Sequence, residues 1–386
     1  MKNEEFATAL VVRRMLLVCC LLWSAAANSS LFTLHFSLQR NSSFFTLHSS
    51  FIKAQTTITL TGDILLDRGV RRYIMQKGID SLFTPQIDSI FAHSDIVVGN
   101  LECPATNIHT PAVKQYVFRG NPEWLHDLRR HGITHLNLAN NHSVDQRRSG
   151  LRDTYKNCLG AHIVPVGAGT NMDEASEAIL IAAHKFSEVR GTRYEVREMQ
   201  VNTRNIHQHG EIEVFSHLVP RTSYLVPSTS HLVPRNIYLL ASQRLKLENF
   251  TYLPDSFSVS QEPLDTLCRR IERLRAKDST AYIIVCLHWG AEHQLKPMAL
   301  QRQEAHRIID AGADIIVGHH THTLQTIEEY KGKPIYYSIG NFIFDQDKPL
   351  NTRACMVQIK IAPDAVAVET IPIHIRHCVP HIATTY

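Results

Sequence analysis

The feature that most restricts the fold of this 386-residue chain is an alternation of short, apolar, β-branched runs with amphipathic stretches. Strands are predicted where the apolar runs occur, at residues 57–60, 95–98, 133–138, 163–166, 282–287, 315–317 and 335–339. Helices are predicted between them, at residues 122–130, 150–159, 263–275 and 301–311. Strands that alternate with helices indicate a layered α/β fold, in which ligand sites form where the strands end.

Polar side chains follow five of these predicted strands. Carboxylate, amide and imidazole groups are all represented, at Asp63, Asn100, Glu102, Asn140, Asn141, His142, His288, His319, His320 and His322. Because strand ends meet at one edge of a sheet, we expect these groups to lie together. In an extended backbone, His320 and His322 would project to the same side. This mixture of oxygen and imidazole ligands suits divalent Mn, Fe or Zn.

Each motif also has an ordinary explanation when it stands alone. A Gly-Asp pair such as Gly62-Asp63 is most often a turn, and Asn140-Asn141 is typical of an Asx turn. A single histidine such as His288 is commonly a hydrogen-bonded core residue. The three histidines of residues 319–322 have no packing reason to be at a strand end, and the set as a whole predicts a metal site.

Composition narrows the classes of partner. The net charge is only +4 and the basic residues are spread along the chain, so no nucleic-acid partner is expected. The eight cysteines include no pair at CxxC spacing, which argues against a zinc ribbon and predicts free, buried thiols.

The N-terminal region predicts export or membrane association. Arg13-Arg14 precede a short apolar run at residues 15–23, and small residues follow, in the order of a secretory signal. We therefore assign residues 1–27 to a signal peptide or N-terminal anchor. We expect the protein to be exported or associated with the outer face of the cytoplasmic membrane. Residues 28–55 form a linker in which the segment 28–35 is duplicated at 41–48.

A second repeat interrupts the α/β pattern. A seven-residue unit containing Leu-Val-Pro occurs three times within residues 216–236, with one proline in each copy at Pro220, Pro227 and Pro234. Proline at this spacing excludes a continuous helix and therefore a coiled coil. Residues 186–236 are interpreted as a low-complexity insertion that packs against little.

An ordered series of motifs resembles the capsule synthesis protein CapA family, also described as poly-gamma-glutamate capsule biosynthesis proteins. The motifs are TGDILLDR (61–68), NLE (100–102), LANNH (138–142) with Asp145, HWGAE (288–292), GADIIVGHH (312–320) and YSIGNF (337–342). The resemblance implies a four-layer α/β sandwich of the calcineurin-like metallophosphoesterase superfamily, with a metal site at the strand ends. It places this domain at residues 56–345 and leaves 346–386 as C-terminal strands and a tail.

The resemblance also implies roles for individual residues. One or two divalent ions would be held by Asp63, Glu102, Asn141, His288, His320 and His322. His142 would be the general acid, Arg68 would contact a phosphate, and His319 would support the site as a further catalytic residue. Leu65 stands where the wider superfamily has a histidine ligand, so a single ion and two ions are both compatible with the pattern.

Three functions share this site. The first is a capsule biosynthesis or export protein with a metal-dependent, phosphoesterase-type activity on an anionic ester. The second is a non-catalytic protein that binds polyglutamate or assembles with a membrane-bound capsule synthase. The third is a plain metallophosphodiesterase that is unconnected with capsule.

Overall fold

The structure is a computed structural model that describes residues 55–182, 236–247, 250–362 and 365–384. The predicted N-terminal segments lie outside these ranges except for Gln55, and so does the predicted insertion except for Asn236. None of the helices in the described ranges has the length and apolar character needed to cross a membrane. The six cysteines in the described ranges are buried, as predicted.

Strands and helices alternate through most of the described chain and give way to strands alone at its end. In order they are β1 (Thr56–Ile64), α1 (Arg68–Lys77), a 3₁₀ turn (Ile79–Leu82), α2 (Pro85–Ala92), β2 (Ile96–Leu101), α3 (Trp124–Arg130), β3 (His135–Asn137), α4 (Arg147–Gly160), β4 (Val164–Val166), β5 (Ala168–Gly169), α5 (Met172–Ala175), β6 (Ile179–Ala182), β7 (Ile237–Gln243), β8 (Ser258–Val259), α6 (Leu264–Lys277), β9 (Tyr282–His288), α7 (Ala299–Asp310), β10 (Ile315–His319), β11 (Ile327–Tyr330), β12 (Lys333–Tyr336), β13 (Asn341–Ile343), β14 (Arg353–Ile361), β15 (Val366–Arg376) and β16 (Val379–Ile382).

The first sheet has the strand order β16-β15-β14-β1-β2-β3-β4, and β13 pairs with the end of β1. Strands β1 to β4 are parallel, whereas β14 to β16 run antiparallel and continue the sheet beyond β1. The parallel strands therefore present their carboxyl ends at one edge.

The second sheet has the order β11-β12-β10-β9-β7-β6. Its four inner strands are parallel, and its two edge strands are antiparallel to their neighbours. A separate two-stranded ribbon joins β5 and β8.

Three hydrophobic clusters define four layers. Side chains such as Ile58 and Leu60 of β1 pack against Leu239 of β7 and Ile284 of β9, between the two sheets. The outer face of the first sheet is covered by α1 to α4. The outer face of the second is covered by α6 and α7. The predicted four-layer α/β sandwich is confirmed, with helices outside and two sheets inside.

The predicted strand at residues 335–339 is wrong in its second half. Strand β12 ends at Tyr336, and the chain then leaves the second sheet to reach β13 in the first. Its backbone groups are shared between the sheets, since Ile339 N donates to Gly318 O and Asp63 N donates to Gly340 O. This segment, residues 337–340, connects the two sheets beside their carboxyl ends.

Candidate metal centre

The predicted ligands lie at the carboxyl ends of both sheets. Asp63 is in β1, Glu102 directly follows β2 and Asn141 follows β3. From the second sheet, His288 ends β9, His319 ends β10, and His320 and His322 follow. The expectation of a single sheet edge is therefore wrong, because the site lies between two sheets.

Two glycines allow the connecting segment to pass close to the ligands. A side chain on Gly62 would meet Gly340 O at 2.1 Å, and one on Gly318 would meet Tyr337 O at 2.0 Å. Only glycine leaves room for so close a backbone approach. This explains why a glycine directly precedes Asp63 on β1 and His319 on β10.

Two groups of three side chains could each hold a cation. Glu102 belongs to both groups, with His288 and His320 in one and with Asp63 and His322 in the other. In each group the ligand atoms lie within 4.8 Å of one another. Glu102 Oε1 is 3.6 Å from His288 Nε2 and 3.7 Å from His322 Nε2. The shared carboxylate joins the two groups into one centre.

The donor set fits a divalent cation. Both carboxylate oxygens of Glu102 are buried and accept no hydrogen bond, and neither Asp63 Oδ2 nor His320 Nδ1 has a hydrogen-bond partner. Buried polar atoms without partners are costly, and carboxylate oxygens with imidazole nitrogens are the ligands that first-row divalent ions prefer. A bound cation would satisfy these atoms.

Asparagine amides fix the first-sheet side of the centre. Asn100 Nδ2 donates to Asp63 Oδ1 at 2.8 Å, while Asn100 Oδ1 accepts from Asn137 and Asn140 at 3.0 and 3.3 Å. Asn141 Oδ1 lies 2.8 Å from His288 Nε2 and so connects the first sheet to the second. Sequence reasoning gave no role to Asn137, although its position at the end of β3 was a usable signal.

The second-sheet histidines have an unexpected backbone. His320 and His322 have φ values of 92° and 56°, so neither is extended and the predicted alternation is wrong for them. Non-glycine residues rarely adopt positive φ, and such residues cluster at functional sites. Both imidazoles nevertheless lie beside Glu102, His320 together with His288 and His322 together with Asp63. His322 Nδ1 also lies 2.9 Å from Asn341 Oδ1.

The carboxylates differ in their charge environment. Burial would raise the pKa of Asp63, but attraction to the imidazoles of His319 and His322, 3.3 and 3.2 Å from its carboxylate oxygens, outweighs it and holds the pKa well below its usual range. Burial raises the pKa of Glu102 well above its usual range, although the charge of His322 opposes the shift. Glu102 is thus the group that gains most from a cation.

The imidazoles differ in the same way. Burial lowers the pKa of His320 to about 3 and holds that of His288 well below its usual range. Both are therefore neutral at pH 7, which is the form that binds a metal. Burial also opposes the charge of His322, but Glu102 and Asp63 outweigh it and raise its pKa to about 9.

His142 lies beside the centre and is held by Asp145. Its Nδ1 is 2.8 Å from Asp145 Oδ2, and its ring stacks on Phe118 with centroids 4.3 Å apart. Burial lowers the pKa of His142, although Asp145 opposes the shift. Its neighbour in the chain, Asn141, contacts His288, so His142 directly follows a residue of the centre.

The other two predicted catalytic residues contact the site in different ways. His319 Nδ1 lies 3.3 Å from Asp63 Oδ1, beside a candidate ligand. Arg68 forms a bidentate ion pair with Asp345. Its guanidinium also lies over the rings of Phe118 and Phe344, 5.0 and 5.6 Å from their centroids. Two of its donor nitrogens are therefore already engaged.

Comparison with known proteins identifies the family. Residues 57–346 match the model of the bacterial capsule synthesis protein PGA_cap. The PGA biosynthesis protein CapA of Bacillus subtilis is 30% identical over 83% of this chain and 72% of its own length. The capsule biosynthesis protein CapA of Bacillus anthracis is 29% identical over 85% of this chain and 70% of its own length.

A solved structure, the calcineurin-like phosphoesterase YfkN of Bacillus subtilis, covers 86% of this chain and 89% of its own at 12% identity and a TM-score of 0.38. That likeness is distant, whereas the family match spans the whole sandwich except the last strands. The resemblance read from the sequence motifs is confirmed, and the chain belongs to the bacterial capsule synthesis protein PGA_cap family.

Proposed function

We propose that this protein is a metal-dependent hydrolase of anionic esters, with its biological role in the synthesis or export of a poly-gamma-glutamate capsule. The observation that carries the hydrolase part is Glu102, a fully buried carboxylate shared by two ligand groups, with neither oxygen hydrogen-bonded. The capsule role rests on the family and on the names of the two Bacillus relatives.

The residues that would hold the cation are Asp63, Glu102, Asn141, His288, His320 and His322. A divalent cation bound there supplies Lewis-acid chemistry. Mn, Fe and Zn all suit this donor set, as one ion or two. The amide network of Asn100 keeps Asp63 in place, so this carboxylate is oriented before any ligand binds.

His142 is the proton donor in this proposal. Asp145 accepts from Nδ1, so Nε2 is the nitrogen left to carry a proton to the leaving oxygen of the ester. Donation requires the imidazolium form of His142, which carries a second proton on Nε2; because burial lowers the pKa of His142, this form is a stronger acid than a free imidazolium. Stacking on Phe118 fixes the plane of the ring.

The test compares three histidine variants in hydrolysis of bis(p-nitrophenyl) phosphate with added Mn²⁺. His142→Ala should keep its metal and lose about a hundredfold or more of the rate, the usual contribution of a general acid. His288→Ala should lose both metal and activity. His126→Ala is the matched control, because His126 is an exposed histidine on α3.

Two results would contradict the proposal. If His288→Ala retains as much metal as the parent, the shared centre does not exist. If the metal-loaded parent hydrolyses no phosphate ester, the second candidate is favoured: a non-catalytic protein that binds polyglutamate or a membrane-bound synthase. That candidate is supported by the names of the two Bacillus relatives, which state a biosynthetic process and no reaction.

We also propose that the protein is exported or associated with the outer face of the cytoplasmic membrane. The support is the order of charged, apolar and small residues within 1–27. Fractionation of cells that express the whole chain tests this, and recovery wholly in the cytosol would exclude it.

A further inference from the structure

The loop between β2 and α3 wraps around the segment that carries Asn141 and His142. Thr110 N donates to Gln146 Oε1 at 2.9 Å, and Ala112 N donates to Asp145 O at 2.8 Å. Further along, Phe118 N donates to Asp145 Oδ2 at 2.7 Å. The loop therefore touches residues 141–146 along its length, and Lys114 lies at the middle of the contact.

Lys114 places a buried positive charge against Asp145. Its side chain is 8% exposed, and Nζ lies 2.5 Å from Oδ1 of Asp145, whose side chain is fully buried. The same ammonium donates to Asn141 O at 3.0 Å. A buried ammonium is expensive to desolvate, so its placement here requires compensation by the carboxylate.

Asp145 connects this charge to the imidazole of His142. Lys114 lies at Oδ1, while Oδ2 accepts from Phe118 N and from His142 Nδ1. Among the described residues, Lys114 is the only lysine or arginine within ion-pair distance of Asp145. Without it, the carboxylate would be buried with no permanent positive charge beside it.

We propose that Lys114 is a positioning residue that acts on His142 through Asp145, and this rests on the proposed function of His142 as proton donor. Lys114 fixes one carboxylate oxygen, so that the other faces Nδ1 of His142. The imidazole is then held with Nδ1–H toward Asp145 and with Nε2, which carries the donated proton in the imidazolium form, toward the metal centre. Lys114 touches neither substrate nor metal in this arrangement, so its effect on His142 passes through Asp145, whereas a loss that passes through its contact with Asn141 O would persist without His142.

A double-mutant cycle tests the route of the effect. Lys114→Met should lower kcat by about tenfold to a hundredfold, with KM and metal content little changed, because a misplaced proton donor affects the chemical step. In the His142→Ala background the same change should cost less than about twofold, since its target is already gone. A further tenfold loss in that background would show a merely structural role and overturn the proposal.

The orientation of His142 can be read without any activity. In ¹⁵N-histidine NMR spectra, signals absent from the His142→Ala protein identify His142 in the parent. Lys114→Met should move these signals away from the Nδ1-protonated tautomer, whereas unchanged signals would refute the proposal. This readout remains valid if the parent hydrolyses nothing, so failure of the positioning role and failure of the hydrolase function are distinguishable.

If Lys114→Met fails to fold because Asp145 is left unpaired, a second variant keeps the proposal testable. Lys114→Met combined with Asp145→Asn removes both charges. It should be no less active than Asp145→Asn alone if the effect of Lys114 passes through that carboxylate, whereas a loss through the contact with Asn141 O would persist. A clear further loss in the combined variant would contradict the proposal.

Discussion

The two sheets bring different chemistry to one centre. The first sheet supplies the carboxylates Asp63 and Glu102, and the second supplies the imidazoles of His288, His320 and His322. The first-sheet donors lie on or directly after strands, and Asp63, at an irregularity of β1, is held by a network of asparagine amides. Of the imidazoles, only His288 lies on a strand, and the other two have positive φ.

This difference separates two ways of building a site. On the first sheet, the strands place Asp63 and Glu102, and hydrogen bonds orient the carboxylate of Asp63, at little conformational cost. On the second, the backbone after β10 adopts a sparsely populated conformation to turn two histidines toward Glu102. A site assembled in this way is ordered on one side and strained on the other, and each half can be perturbed separately.

The largest effect is expected where the two halves meet. Glu102→Gln should reduce metal affinity by about a hundredfold or more, because the carboxylate belongs to both ligand groups, and even outer partners of a ligand are worth about ten- to a hundredfold. Metal titration of the purified variant measures it. Glu329→Gln is the matched control on the exposed strand β11.

Loss of only one ion from a two-ion parent, or no loss at all, would contradict this prediction. It would mean that the two sheets hold separate sites and that Glu102 does not join them.

A histidine of the first sheet gives the next largest effect. His135, at the start of β3, lies outside both ligand groups, and burial lowers its pKa to about 4, with the charge of Arg129 adding to the shift. Its folded pKa is below its unfolded value, so the unfolded chain binds more protons at acid pH. The stability associated with neutral His135 is thus complete above about pH 6.5 and is lost as the pH falls toward 4.

Denaturant unfolding of the metal-free protein at pH 7 and pH 4.5 measures this loss. His135→Gln cannot titrate, so the stability of the parent relative to this variant should fall by about 2 to 3 kcal/mol between the two pH values. The other buried histidines titrate in both proteins and cancel in the difference. An equal fall in parent and variant would show that His135 accepts a proton in the folded state without penalty.

The sequence predicted the first half of the site better than the second. Strand register follows from apolar periodicity, and it located Asp63, Glu102 and Asn141 at strand ends. The proximity of His320 and His322 was also expected, but for the wrong reason, since extended backbone was assumed where φ is positive. A local turn of this kind depends on tertiary contacts that periodicity does not report.

Other features had no signal in a single sequence. The edge formed by β14 to β16 depends on long-range pairing of the last strands with β1. The contact of Lys114 with Asp145 joins a loop to a distant turn, and nothing in the spacing of residues 110–118 indicates it. Residues 337–339 were predicted as the end of a strand because Tyr337 and Ile339 continue the apolar pattern of residues 335–336.

A smaller effect should reveal the strain on the second sheet. His320 has a φ of 92°, a conformation open to glycine and costly for residues with a Cβ. The metal-free His320→Gly protein should therefore be more stable than His320→Ala by about 1 kcal/mol, although both lack the imidazole and both should bind metal weakly. Urea unfolding of the two variants measures the difference.

The reverse order, with alanine more stable than glycine, would be the ordinary result for a residue with negative φ. It would show that the second sheet presents its histidines without strain and that the contrast between the two halves is unfounded.

The smallest effect is expected from the low-complexity insertion, although it lies between two strands of the second sheet. It connects β6 to β7, which pair antiparallel with Ala182 opposite Ile237. The carboxyl end of β7 is Gln243, which pairs with His288, so the insertion joins the sheet at the end away from the metal centre. Its removal should therefore affect neither the strained nor the ordered half of the site.

Replacement of residues 183–235 by Asn-Gly, which together with Asn236 leaves three residues between Ala182 and Ile237, tests this, since Asn and Gly favour the tight turns of hairpins. Asn236 is retained because its carbonyl accepts from Tyr282 N. The free energy of unfolding should match that of the parent within about 1 kcal/mol, the scale of surface changes. The metal content should be unchanged. The hairpin itself matters more: Ile181 on β6 is 2% exposed, and Ile181→Ala should cost about 2 to 5 kcal/mol. If the shortened chain is instead destabilised as much as Ile181→Ala, the insertion contributes to the core, and the second sheet depends on residues far from its metal-binding end.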